Sequence, residues 1–198
     1  MNENFLHALL GSISVSGYEE PVQDIVEEEM KDYVDEIRRD EMQNLVCVLN
    51  PDSDVKIMLS AHADEIGLMI SNIREDGRLQ VIDRGGIVPA TYPGQQVRIR
   101  TSNGEVYGDT HIRKLANGKF TARALDDRLG VYIIMEAMKR AKERGCKAGV
   151  YGASTTGEET TKTGAYWTST RINPTMAIVV DVTYASDYNG MDPAETGT

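Results

Sequence analysis

Met176-Ala177-Ile178-Val179-Val180-Asp181 is a run of five apolar residues closed by a carboxylate. A run this short and this apolar reads as a buried parallel strand. Just upstream, a strand pattern over Ala148–Ser154 leads through the loop Thr156-Gly157-Glu158-Glu159-Thr160 into a helical pattern from about Thr161 to Thr170. Strand, helix and strand in that order predict an α/β sheet with helices on its faces.

The same rhythm extends outward. Asp126 to about Glu143 reads as a helix carrying Leu129, Ile133, Met135, Ala137 and Ala141. Near the N-terminus, residues 3–10 place Phe5, Leu6, Leu9 and Leu10 at helical spacing and stop at Gly11. Ser16-Gly17-Tyr18-Glu19 is a turn and cap, followed by a helix through about residue 35 with Val22, Ile25, Val26 and Met30 on one face. Its other face is crowded with acid, from Glu19 and Glu20 to Asp32, and reads as a solvated surface. Strands over Asn44–Leu49 and Val55–Ser60 flank the turn at Asn50-Pro51-Asp52-Ser53-Asp54. Further strand patterns lie at Gly67–Ile73, Arg78–Ile82, Gln96–Arg100 and Glu105–Gly108. The expected organisation is therefore a mixed sheet flanked by helices, from residues 1–70 and 119–198, interrupted by a small β-rich insert at 71–118.

Composition narrows the function classes. The chain has 198 residues, 40% hydrophobic and 26% charged, which is ordinary for a folded domain. Lys and Arg number 21 against 31 Asp and Glu, a net charge of −10, so a nucleic-acid partner is not expected. No apolar run approaches the roughly 20 residues that span a bilayer, and the first ten residues lack the basic start of an export signal. Cys47 and Cys146 have no C-x-x-C spacing and read as reduced thiols of a cytoplasmic protein.

Four places join expected element ends to ligand chemistry: His62, Asp64 and Glu65 after the strand Val55–Leu59; Asp126-Asp127-Arg128 opening a helix; Glu158-Glu159 after Ala148–Ser154; and Asp181 closing the last strand. Each has an ordinary structural explanation: a satisfied histidine, a helix cap, surface charge, a turn residue. Together they form a ligand set for divalent metal ions, at the strand ends where α/β sheets gather their sites. Buried acid without a partner is costly, and a metal gives a reason for it.

Taken in order, the text resembles the glutamyl-aminopeptidase and deblocking-aminopeptidase family of dinuclear metallopeptidases. The matching residues are Ser16-Gly17-Tyr18-Glu19, Ser60-Ala61-His62-Ala63-Asp64-Glu65-Ile66-Gly67, Gly85-Gly86-Ile87, Pro93-Gly94-Gln95, Thr121-Ala122-Arg123-Ala124-Leu125-Asp126-Asp127-Arg128, Gly157-Glu158-Glu159 and Asp181-Val182-Thr183. The resemblance implies a zinc-peptidase-like core and two divalent ions, zinc or cobalt. It implies peptide substrates and a homo-oligomer, a tetrahedral dodecamer in the family. By the same resemblance, His62 and Asp181 ligate the first metal, Asp126 bridges both, and Glu159 ligates the second. Asp64 orients a ligand and Glu158 is the general base. Asp127 stands second to Asp126 as the bridge, because the family pattern admits an amide there.

The family also carries one further metal-ligating His, which neither His7 nor His111 matches. Text like the opening of the family's β insert, Glu105-Val106-Tyr107-Gly108, runs within a few residues into text like its close, Leu115-Ala116-Asn117-Gly118-Lys119, so a deletion is expected at about 109–114. The chain thus reads as an aminopeptidase shortened in its insert and lacking the family's C-terminal region. Two other classes are weighed beside it: a non-catalytic metal-binding or assembly protein, and a glycoside hydrolase using two acids. The latter leaves His62 and Asp181 without a role and has one Trp, Trp167, to stack sugars. A serine hydrolase is excluded because Gly11–Gly17 contains no G-x-S-x-G, and Gly85-Gly86 lacks the Lys of a phosphate loop.

Overall fold

Leu45–Leu49 (β2) is buried at every position, and its alternate residues feed two separate cores. Leu45, Cys47 and Leu49 face one cluster, Val46 and Val48 the other, because side chains on a strand alternate between its faces. In this computed structural model, which describes residues 2–104, 106–107 and 112–183, that strand lies inside a five-stranded sheet. The others are Glu36–Arg39 (β1), Lys56–His62 (β3), Gly149–Thr155 (β10) and Met176–Val179 (β11), in the order β1-β2-β10-β3-β11. Pairings β1/β2 and β2/β10 are antiparallel; β10/β3 and β3/β11 are parallel. The sheet is mixed, as expected.

The larger core lies between the sheet and the helices Glu3–Gly11 (α1), Glu20–Met30 (α2) and Leu125–Glu143 (α3). Phe5, Leu9 and Leu10 of α1, Val22, Val26 and Met30 of α2, and Val131, Met135 and Met138 of α3 are all buried there. Each such side chain contributes roughly 1.5–3 kcal/mol by leaving water. A Cβ at Gly152 would lie 2.2 Å from Met138 Sδ, so glycine is what lets α3 approach β10 this closely. Helix Thr163–Ile172 (α4) serves the smaller cluster through Ile172.

Three expectations need correction. The second helix ends at Met30 instead of about residue 35, because the chain turns at once to pair Glu36 with Val48. That pairing creates β1, a short charged edge strand with no apolar alternation to announce it. And β11 is parallel but not buried: Met176, Ala177, Ile178 and Val179 are all exposed among the described residues. Among the described residues it lies at the edge of the sheet, where an apolar run gains one neighbour, β3, in place of two.

Outside this sheet, Gly67–Ile73 (β4) and Leu79–Arg84 (β5) form one antiparallel ribbon. Ile99–Arg100 (β6) with Val106–Tyr107 (β7), and Arg113–Lys114 (β8) with Phe120–Thr121 (β9), form two shorter ones. The expected deletion at about 109–114 falls partly outside the described residues, and His111 does so entirely.

Candidate metal centre

The parallel strands end side by side. His62 is the last residue of β3 and pairs with Thr155, the last of β10, which leads into the Gly157-Glu158-Glu159 loop. Val179 of β11 pairs with Ser60, so Asp181 follows at the same edge. The start of α3 reaches it through Asp126 and Asp127, which are joined by a cis peptide bond.

His62 is buried between two acids. Its Nδ1 lies 3.1 Å from the Asp64 backbone oxygen and 3.4 Å from Asp64 Oδ1. Its Nε2 lies 3.0 Å from Asp126 Oδ1 and 3.9 Å from Glu158 Oε2. Asp64 is fully buried and accepts hydrogen bonds from the backbone N–H groups of Glu158 and Glu159, each at 3.1 Å. A carboxylate on one ring nitrogen fixes the imidazole and leaves the other nitrogen facing the centre.

Charge is concentrated here. Burial pulls the His62 pKa down, but the hydrogen bond and charge of Asp64, with Asp127 and Asp126, outweigh it and push the imidazole up to about 9. Glu159 is pushed up to about 7 by burial and by Asp126 beside it. Asp127 also rises to about 7, through burial, with the charge of His62 working against the shift and that of Asp181 reinforcing it. Asp64 stays below the usual carboxylate range: burial opposes this, but His62 and the two backbone amides prevail.

Two sets of donor atoms each lie within 4.8 Å of one another, His62–Asp127–Asp181 and His62–Asp126–Glu159. Asp127 Oδ1 accepts from the Gly130 N–H at 3.1 Å, while its Oδ2 is buried with no hydrogen-bond partner among the described residues. A buried carboxylate oxygen of this kind asks for a cation. The imidazole and carboxylate set fits divalent metal ions, zinc among them.

All six expected site residues, His62, Asp64, Asp126, Glu158, Glu159 and Asp181, come to this edge. Asp127, which the sequence reading placed second to Asp126 as a bridge, joins them as a buried member of a donor set with His62 and Asp181. An Asp-Asp pair opening a helix looks like ordinary capping, and no local pattern separates the two cases. Gly130 belongs with it, since a Cβ there would lie 2.4 Å from both Asp127 oxygens. Gly→Ala inside a helix ordinarily stabilises by about 1 kcal/mol. Gly130→Ala is expected to do the opposite, because Asp127 has to leave its place; a lower urea midpoint than the parent's checks this.

The loop after β3 is held from behind by Arg128, which is fully buried. Its guanidinium donates to the carbonyls of Ala63, Leu9, Ser12 and Ser14 and, at 2.8 Å, to Glu65 Oε1. Arg123 donates to the same Glu65 oxygen.

Comparison with known proteins gives this geometry a family. The family model described as M42 glutamyl aminopeptidase matches residues 43–111 and 106–198. The chain belongs to the M42 glutamyl aminopeptidase family. The lysyl aminopeptidase of Pyrococcus furiosus is 29% identical over 91% of this chain and 66% of its own length. Among solved structures, a TET aminopeptidase from the marine sediment archaeon Thaumarchaeota archaeon SCGC AB-539-E09 superposes with a TM-score of 0.91 at 25% identity, covering 98% of this chain and 68% of that one. An aminopeptidase from Desulfurococcus kamchatkensis gives 0.89 at 30% identity, covering 98% and 66%. This M42 chain thus spans about two thirds of the length of the relatives it matches. The alignment to the Pyrococcus protein runs over 232 positions, more than the 198 residues available, so it includes positions this chain lacks. The family model matches in two stretches that overlap at 106–111, within reach of the join expected at about 109–114.

Proposed function

We propose a metal-dependent aminopeptidase, releasing N-terminal residues from peptides, whose core and most of whose metal centre this chain supplies. The observation that carries the reading is the meeting of His62, Asp126, Glu158, Glu159 and Asp181 at the ends of three parallel strands, with a buried, unpartnered Asp127 oxygen among them. By the family resemblance, His62, Asp126 and Asp181 would hold the first ion and Asp126 and Glu159 the second; in the structure it is Asp127 that groups with His62 and Asp181, and Asp126 with His62 and Glu159. When bound, two divalent ions, zinc or cobalt, lower the pKa of water and polarise a carbonyl.

The protein's own groups do the rest. Glu158 takes a proton from the attacking water and passes it to the departing amine. Its Oε2 faces the His62 side of the centre. Asp64 holds His62 by Nδ1, so that Nε2 is presented as a ligand. The surplus of carboxylates suits the free α-amine of a peptide.

Two coarser features extend the reading. No helix among the described residues is long and apolar enough to cross a membrane, and Cys47 and Cys146 are unbridged, which supports a cytoplasmic protein. The β4–β5 ribbon exposes Met69, Ile70, Ile73, Leu79, Val81 and Ile82, an apolar patch that supports self-association through the 71–118 insert.

Zinc titration tests the centre and peptide hydrolysis tests the function. At pH 7 the metal-free site holds a proton on His62, pushed up to about 9, and is partly protonated at Glu159 and Asp127, pushed up to about 7. Zinc uptake is therefore expected to release protons at pH 7, with affinity falling as the pH drops through about 9 and more steeply below about 7. Calorimetry in buffers of different ionisation enthalpy reads this directly. Release of N-terminal residues that stops with a chelator and returns with zinc supports the aminopeptidase. Tight zinc binding without turnover supports a non-catalytic metal protein, and cellulose hydrolysis that survives the chelator supports a glycosidase.

A further inference from the structure

Glu19 stands where α2 begins, yet its side chain makes no capping bond to that helix. Short Asn, Asp, Ser and Thr are the residues that reach a helix's first amides. The Glu19 carboxylate turns away from α2. Its Oε1 accepts from the Gly17 N–H at 2.9 Å and from the Gly157 N–H at 3.1 Å, and the residue is 5% exposed.

Gly157 opens the loop that carries the proposed base, Glu158, and the proposed metal ligand, Glu159. It has φ +67°, a conformation that glycine adopts without strain. The next two amides, of Glu158 and Glu159, end on the two oxygens of Asp64. Three consecutive N–H groups are thus held by two buried carboxylates, one from the start of α2 and one from the end of β3. Ser16 Oγ and Thr160 Oγ1, 2.8 Å apart, fasten the loop one residue further on. Successive backbone N–H groups make a natural seat for anions. Collecting two acids behind two more is electrostatically unfavourable, so the arrangement implies that the placement of this backbone matters.

We propose that Glu19 is a positioning residue of the metal centre: with Asp64 it clamps the Gly157-Glu158-Glu159 backbone, so that two adjacent glutamates present their side chains to different tasks. The tasks rest on the aminopeptidase reading above; the clamp does not.

The test compares Glu19→Ala with Glu19→Gln, which discards the charge but keeps an acceptor oxygen in place. Amide hydrogen exchange of the segment around Gly157, followed by mass spectrometry, is expected to quicken on the order of tenfold in Glu19→Ala and to stay near the parent's in Glu19→Gln. Zinc titration is expected to show about tenfold weaker binding in Glu19→Ala, again recovered in Glu19→Gln. Unchanged exchange in Glu19→Ala, or exchange as fast in Glu19→Gln, overturns the clamp. Should Glu19→Ala not fold, Glu19→Asp, which withdraws the carboxylate by one methylene, takes its place, and parent-like exchange there overturns it. If the parent chain hydrolyses no peptide, the aminopeptidase reading falls while the exchange comparison still decides the role of Glu19.

Discussion

Replacing Glu158 by Gln is expected to slow the release of N-terminal residues by roughly a hundred- to ten-thousand-fold, with KM little changed. The amide has the shape of the acid and keeps the same backbone N–H on Asp64, but it cannot take a proton from water. Zinc content should match the parent's, because Glu158 belongs to neither donor set. Glu159→Gln is the contrasting variant: it removes a donor of the His62–Asp126–Glu159 set and should lose zinc together with rate. Steady-state kinetics beside metal analysis separates the two. A Glu158→Gln protein turning over at the parent rate would move the base elsewhere. Lys162 pairs with Glu158 at 3.1 Å, but its side chain is 78% exposed, so water screens the pair and it adds little to the effect.

Arg128→Met is expected to cost about 3–5 kcal/mol of stability. The side chain is fully buried, and its loss leaves Glu65 with Arg123 and the Ser14 N–H and strips a donor from the carbonyls of Leu9, Ser12, Ser14 and Ala63. Folded domains keep only about 5–15 kcal/mol in reserve, so the variant should unfold at a markedly lower urea concentration. Lys at this position should not rescue it, since one ammonium with three N–H groups cannot serve acceptors arranged around a planar fork. Arg78→Ala is the control. Its pair with Asp76, at 3.6 Å with side chains 80% and 52% exposed, should contribute less than about 1 kcal/mol. An Arg128→Met midpoint no lower than the control's would mean that the N-terminal helix and the β3 loop are held by other contacts.

The two effects meet in one segment. Arg128 binds the loop that carries Asp64 and Glu65, and Asp64 binds both His62 and the amides of Glu158 and Glu159. The stability of that corner and the geometry of the metal centre are therefore one physical problem. A mutation of the buried ion pair should disturb zinc binding even where the chain still folds.

Much of this was legible along the chain. Apolar periodicity found α1, α3, β2, β3 and β10 to within a few residues, because each carries enough buried side chains to impose its own period. The residue types His62, Asp126, Glu159 and Asp181 pointed to the metal chemistry proposed above, since few other needs gather one imidazole and several acids at the ends of strands. β1 was invisible, a charged edge strand whose existence rests on pairing with β2. The exposure of β11 was equally invisible, because an apolar run looks the same whether it has one neighbour or two.

Local chemistry, then, is written in the order of the residues: which segments can be strands, which side chains can bind a metal, where a turn has to fall. The placement of β10 between β2 and β3, the burial of Asp127 against Gly130, and the reach of Glu19 to Gly157 are tertiary facts. They join residues 90 or more apart in sequence, as between Glu19 and Gly157, or depend on backbone geometry at single peptide units, as at Asp126-Asp127. Neither kind of information has a period that a sequence can display. Long-range pairing is chosen by the free energy of the whole packed arrangement, and only the folded chain evaluates it.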